Sequence, residues 1–334
     1  MRIGLSFDLK DAVPRVQNEP EDALEEYDSA ETVQVIESAI AAEGHEVIRL
    51  GGGKEFLKNI LRTEVDFVFN IAEGWGNYRS REAQVPSVLE MLDIPYSGSD
   101  PQCLAICLDK PVTKKLVATT GVPTPKWQVI TDARELAALS WDGFSFPAII
   151  KPAYEGSSKG IRLTSLAYNP GQAVESASQL LARYNQPAMI EEFIDGDEVT
   201  IGMVGNSLPQ ILGMMRILPR TQSEHFVYSL EVKRDYQRLV EYECPAQLKE
   251  KTRAEVATAS RNAFNVLGCR DFARIDFRIG ADGTPYFLEI NPLPGLGTYS
   301  DLVIMAIKLG WTHHGLICAV LNAALKRHQQ CAHV

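Results

Sequence analysis

Three observations predict a mixed α/β chain of three domains. An apolar strand followed by an amphipathic helix opens the chain, helix-start signals cluster near residue 100, and alternating strands flank Asp282-Gly283 near the C-terminus. The boundaries fall at residues 1–100, 101–192 and 193–334. A chain of 334 residues is too long for one compact core, since domains run to about 100–200 residues. With 45% apolar and 23% charged residues the composition excludes disorder, collagen and coiled coil.

Residues 1–7 read as a strand, and residues 30–43 carry Val33, Ile36 and Ile40 on one helical face before a Gly44 stop. Strands are predicted at 45–50 and 65–71, and Val85, Val88, Leu89 and Leu92 draw another helical stripe. Asp100-Pro101 and Asp109-Lys110-Pro111 both pair an N-cap residue with an early proline, so a helix starts here and runs to Gly121. Residues 147–151 form a buried strand. A Gly/Ser loop at 155–160 follows, then a strand to Leu163, a helix over 171–183 and a strand over 188–192. Strands at 198–204 and 210–217 precede a helix from Ala246 to Gly268.

The net charge of −10 disfavours nucleic acid and anionic membrane as partners. Asp8 and Lys10 interrupt any signal-peptide core, and no apolar run reaches about 18 residues, so a cytoplasmic protein is expected. Six cysteines (Cys103, Cys107, Cys244, Cys269, Cys318, Cys331) without a CxxC read as reduced structural thiols. Residues 11–31 hold eight acids against the single base Arg15. They read as a solvated loop and helix entry, with a lid over a site as the alternative.

The C-terminal hairpin carries the chemistry. Residues 271–279 alternate, with Phe272, Arg274, Asp276 and Arg278 on one face, and residues 286–291 form the second strand. A two-residue turn at Asp282-Gly283 pairs residues whose numbers sum to 565, so Asp276 faces Glu289 and Arg274 faces Asn291. Two carboxylates with Cβ atoms about 5 Å apart repel by roughly 3 kcal/mol at an effective dielectric of about 20. A hard cation such as Mg²⁺ compensates, and Asn291 adds an amide oxygen, so Asp276, Glu289 and Asn291 are candidate metal ligands. The alternative is a surface hairpin in which Arg274 and Arg278 neutralise the acids. Pro292-Leu293-Pro294-Gly295 bends the chain just beyond and exposes backbone groups there.

Glu155, Gly156, Ser157 and Ser158 open a loop without Walker A spacing, but small residues let N–H groups approach phosphate oxygens. Lys151 supplies a point charge just before it, and Lys110 and Lys233 could add two more, although single lysines are ordinarily solvated. Residues 188–190 followed by Glu191-Glu192-Phe193-Ile194 read as a strand end that in this context fits an adenine-binding hinge.

Taken in order, IPYSGS (94–99), LDK (108–110), IIKPAYEGSSKGI (149–161), IEEFIDGDEVT (190–200), ARIDFR (273–278) and FLEINPLPGL (287–296) resemble the ATP-grasp superfamily, within it the D-alanine–D-alanine ligase-like carboxylate–amine ligases. The resemblance implies an ATP-grasp fold with ATP clamped between two antiparallel sheets. It implies Lys110 and Lys151 on the nucleotide phosphates, Glu155 to Ser158 as the phosphate loop, and Lys233 on the γ-phosphate. Glu191, Glu192, Phe193 and Ile194 would form the adenine hinge, Leu288 would meet the nucleotide, and Glu198 the ribose. Asp276, Glu289 and Asn291 would hold two Mg²⁺ ions, with Mn²⁺ as a substitute. Arg274 and the Gly295 amide would stabilise the acyl-phosphate and tetrahedral intermediates, and Ser300 would receive the second substrate's carboxylate.

The substrate segments depart from the family pattern. The GGxSxExxVS-like stretch is replaced by GLSFDLKDAVPRV, with only Asp8 acidic near the strand end, and the HGxxGEDG stretch by residues 73–82. The tyrosine that follows the γ-phosphate lysine becomes Arg234. Asp8, Glu73, Arg79 and Arg81 fall at the carboxyl ends of a parallel sheet, where ligands bind. The two arginines suggest an extra carboxylate or phosphate on the first substrate, or else they balance Glu73 and Glu82 at the surface. The expected activity is ADP-forming amide synthesis from a small-molecule carboxylate other than D-alanine and an amino acid, in a homodimer. An authentic D-alanine ligase, a small-molecule kinase and a nucleotide-binding regulator are the rivals.

Overall fold

The computed structural model describes residues 1–14, 17 and 19–331, so Arg15 lies outside the described residues. The chain opens with β1 (Arg2–Ser6), α1 (Ala30–Ala42), β2 (Glu46–Gly51), α2 (Gly53–Ile60), β3 (Phe67–Asn70) and α3 (Gln84–Met91). The Ser29 hydroxyl starts α1 by accepting the Thr32 N–H at 3.1 Å. Its stripe of Val33, Ile36, Ala39 and Ile40 is buried. The strands form a parallel sheet in the order β2-β1-β3. Helix α2 was not predicted, because Gly51-Gly52-Gly53 hides its start.

Two helices replace the single one predicted after residue 100, since each aspartate caps its own: α4 (Pro101–Leu108) and α5 (Lys110–Ala118). Asp100 accepts the Cys103 N–H at 2.9 Å and Asp109 the Val112 N–H at 3.1 Å. Next come β4 (Trp127–Ile130), β5 (Ala148–Pro152), β6 (Leu166–Ala167), α6 (Pro170–Tyr184) and β7 (Ala188–Glu192), with an antiparallel sheet ordered β4-β7-β5-β6. The strand predicted up to Leu163 is absent. Arg162 and Ser165 bond to each other in a local turn, using the backbone groups a strand would offer.

The third sheet is ordered β10-β9-β8-β11-β12. Its elements are β8 (Gly196–Val204), β9 (Gln210–Pro219), α7 (Leu230–Arg234), α8 (Tyr236–Leu239), β10 (Val240–Glu243), α9 (Glu250–Val266), β11 (Phe272–Gly280) and β12 (Pro285–Asn291), followed by α10 (Asp301–Lys308) and α11 (His313–Cys331). Helix α9 starts at Glu250 rather than Ala246. Helices α10 and α11 return to the first sheet, where Leu302, Val303, Leu316 and Ile317 share one core with Ile3, Leu5, Ile36 and Ile40. The 193–334 unit is thus not packed independently of the 1–100 unit. Among the described residues no single helix is long and apolar enough to cross a membrane.

The hairpin reaches the expected register by an unexpected route. The Gly280 N–H bonds Thr284 O, the Gly283 N–H bonds Gly280 O, and Gly283 has φ +86°. This is a three-residue loop with its last residue left-handed, not a two-residue type I′ turn. Near the loop Ile279 pairs with Pro285 and Phe277 with Phe287; a bulge at Leu288 then restores Asp276 opposite Glu289 and Arg274 opposite Asn291. The bulge aims two successive residues, Leu288 and Glu289, into one cleft, which strict alternation forbids.

Candidate active site

Residues of both antiparallel sheets line one cleft, among them Lys151, Ser158, Glu192, Lys233, Asp276 and Leu288. On one wall Asp276 and Glu289 sit side by side, as the pairing requires. Asp276 accepts from Thr200 at 2.5 Å and from Arg274 at 2.9 Å. Glu289 lies 3.1 Å from Lys110 and 3.7 Å from Arg274. Burial alone would raise the Glu289 pKa, but Lys110, Lys151, Arg274 and Lys233 outweigh it and hold the carboxyl well below the usual carboxylate range. Part of the like-charge opposition is therefore met by cations. Of the two arginines, Arg274 does this, whereas Arg278 turns to Glu198 at 3.0 Å. Asn291 accepts the Leu293 N–H at 3.0 Å, which fixes the proline loop and leaves its oxygen one lone pair. Asp276, Glu289 and Asn291 offer oxygen only, the donor set of a hard cation.

Between the two sheets lies a buried, positively charged cluster, in which Lys114 also donates to Phe287 O of β12 at 2.9 Å. Lys151 on β5 and Lys114 on α5 both lie 2.5 Å from Glu191, and all three are buried. One carboxylate against two ammoniums leaves the cluster net positive, and burial pushes Lys114 down to about 8. Lys110 holds Glu155 O, while Lys233 lies 5.1 Å over the Tyr228 ring. At the hinge the N–H groups of Glu192 and Phe193 are taken by Lys126 O and Pro147 O. The Ile194 N–H takes no protein acceptor among the described residues. Arg278 stacks on Phe193 at 4.3 Å, so Phe193 packs within the wall. Ser300 flanks α10, and a Cβ on Gly295 would meet its hydroxyl at 2.9 Å.

The predicted substrate residues divide. Asp8 is buried and tied to the Gly74 N–H at 2.9 Å and the Trp75 indole at 2.5 Å. Arg79 is exposed, 3.7 Å from Asp109. Arg81 is only 2% exposed and bonded to Glu26 at 2.5 Å, Glu155 at 3.2 Å and Tyr154 O at 2.8 Å. Three of its five N–H donors are thus taken inside the protein, and the side chain does not stand at the surface. Arg234 pairs with Glu25 at 2.6 Å. Around Asp8 the field is acidic. Burial, with Asp8 adding to it, pushes Asp28 up to about 7, and burial beside Glu82 pushes Glu73 well up.

This acidity predicts a pH signature. Asp28 binds its proton more tightly folded than unfolded, so its own contribution to stability is fully present below about pH 4 and is lost as pH rises through about 7, by an amount of order 4 kcal/mol. Asp28→Asn should match the wild type near pH 4 and melt higher at pH 8. Parallel melting curves across that range would refute the assignment.

Residues 116–322 match the family model described as D-ala D-ala ligase C-terminus, more than half of the chain. The chain belongs to the D-alanine–D-alanine ligase family. The uncharacterized protein y4sG of Sinorhizobium fredii (strain NBRC 101917 / NGR234) is 33% identical over 309 residues, covering 88% of each chain. A D-alanine–D-alanine ligase of Aquifex aeolicus (strain VF5) is 32% identical over 296 residues, 88% of this chain and 94% of the relative. The crystal structure of the Bacillus anthracis D-alanine–D-alanine ligase complexed with ATP superposes with a TM-score of 0.74 at 23% identity over 99% of both chains, which shows the fold. The expected ATP-grasp architecture is thus the observed one, and like its family the chain is a ligase forming C–N bonds. The kinase and the regulator fall away.

Within this ligase, several site residues escaped the sequence reading. Lys114 was legible, being one helical turn from Lys110 on the same face. Asp301, 3.7 Å from Arg274 and bonded to the Tyr228 hydroxyl at 2.9 Å, gave no signal beyond its N-terminal helix position. Lys159 stood inside the quoted loop, yet its partners Glu26 and Glu155 come from two domains.

Proposed function

We propose that this ligase forms an amide from a small carboxylate and an amino acid, with ATP cleaved to ADP and phosphate, and that its first substrate is not D-alanine. The observation that carries the reading is the facing of Asp276 and Glu289, with Arg274 beside them, in one cleft with Lys151 and Lys233. The substrate carboxylate attacks the γ-phosphorus, giving ADP and an acyl phosphate. The amine then attacks the acyl carbon and phosphate leaves. Lys110, Lys151 and Lys233 would bind the phosphates, and Arg274 with the Gly295 N–H would hold the oxyanion. Mg²⁺ held by Asp276, Glu289 and Asn291 would offset charge on the transferring phosphoryl group.

Asp8, Asp28 and Glu73 support an ammonium on the first substrate, because a cation there would let these carboxyls ionise. The engagement of Arg81 with Glu26 and Glu155 leaves the exposed Arg79 as the main support for an additional carboxylate or phosphate. The test is a matrix of amino acids assayed for phosphate release, with mass spectrometry of the products. An amide containing a first residue other than D-alanine is the expected result. Efficient D-alanyl-D-alanine synthesis would overturn the substrate reading, and phosphate release without an amide would overturn the ligation chemistry.

A further inference from the structure

The acidic segment at 19–28 is only partly solvated: Glu19 and Glu21 are exposed, but two of its acids turn inward. Asp22 is wholly buried and the Glu26 side chain is 3% exposed. Asp22 accepts the Gly160 N–H at 2.9 Å and the Tyr184 hydroxyl at 2.8 Å, with Arg162 at 3.3 Å. Glu26 accepts the Gly156 N–H at 2.5 Å, Arg81 at 2.5 Å and Lys159 at 3.2 Å. Both ends of the Gly/Ser loop are thus held by carboxylates from the N-terminal part of the chain.

Between those anchors Ser157 and Ser158 are left-handed, with φ of 49° and 58°. Two successive non-glycine residues in this region are strained and persist only where their surroundings over-determine them. The surroundings here are specific. The Ser158 hydroxyl donates to Tyr228 O at 3.0 Å, and a Cβ on Gly156 would meet Glu26 Oε1 at 2.7 Å. The same segment reaches a second cleft element, because Glu25 holds Arg234 at 2.6 Å and Arg234 directly follows Lys233. Its next residues, Tyr27 and Asp28, lie against the acidic pocket, with the Asp28 N–H on Asp8 O at 2.9 Å.

We propose that Asp22 and Glu26 are positioning residues. They make the 19–28 segment a buckle that keeps the phosphate loop closed over the nucleotide and ties Lys233 to the same point, so that a first substrate beside Asp28 favours closure. The proposal rests on the reading that this loop and Lys233 meet the phosphates of ATP. Loop closure then depends on carboxylates more than a hundred residues away in sequence, on a segment that also borders the substrate pocket.

Trypsin provides the test, since Lys159 is buried when the buckle is fastened and can be cut only when the loop opens. In the full chain, Glu26→Gln and Asp22→Asn should each speed cleavage at Lys159–Gly160 about tenfold, beyond any speeding of cleavage at other sites. Calorimetry should show ATP binding weakened by about the same factor. Equal cleavage rates in the wild type and both variants would overturn the buckle. Should both variants unfold, hydrogen exchange in the wild type decides: slow exchange at the Gly156 and Gly160 amides supports it, and fast exchange overturns it. Failure of the wild type to bind MgATP would instead sink the nucleotide reading, which the Lys159 cleavage comparison does not depend on.

Discussion

Glu289→Gln should all but stop turnover while ATP still binds measurably. The substitution removes one of the two facing carboxylates and leaves Lys151, Lys233 and the hinge in place. A loss of about 10²–10³ or more is expected when one preorganised group at a transferring phosphoryl centre is removed. From the hairpin alone, relief of the like-charge opposition would make this variant more stable without magnesium. The structure reverses that expectation, because Glu289 is 3.1 Å from the buried Lys110 and its loss leaves that ammonium short of a partner. Melting without metal should stay level or fall. Near-normal phosphate release at millimolar Mg²⁺ would remove Glu289 from the metal set.

How much of this site was legible depended on whether its partners lay close in sequence. The Asp276/Glu289 facing lies within a single hairpin, so alternation and a turn signal were enough to find it. Even there two errors cancelled, since the turn is one residue longer than expected and Leu288 bulges by one. The capping aspartates named their helices by local chemistry, Asp100 and Asp109 each bonding three residues ahead. Arg81 and Glu26 were illegible for the opposite reason. An acid-rich run and an arginine between two glutamates both look solvated, and only the packing of three distant segments shows that they neutralise each other in the interior. The C-terminal helices α10 and α11 likewise belong to the first sheet's core, a pairing that no local pattern encodes.

Arg274→Lys should lower kcat at least 10²-fold while changing the KM for ATP far less. Arg274 is buried and uses its planar fork on Asp276, with Nη2 at 2.9 Å and Nε at 3.1 Å from one oxygen, while Nη1 lies 3.7 Å from Asp301. A lysine ammonium at the end of a flexible stem cannot hold Asp276 through two donors and also reach across to Asp301. On the roles proposed above, the substitution would cost both the orientation of a metal ligand and a donor to the developing oxyanion, and both act on the reacting centre. Arg278 is the internal control. It sits four residues further along the same strand face but bonds Glu198 at 3.0 Å and stacks on Phe193 at the hinge. Arg278→Lys should therefore act chiefly on the KM for ATP. Steady-state kinetics on the two variants separates the roles: a defect in Arg274→Lys confined to the KM for ATP would move that guanidinium from the reacting carboxyl to the nucleotide.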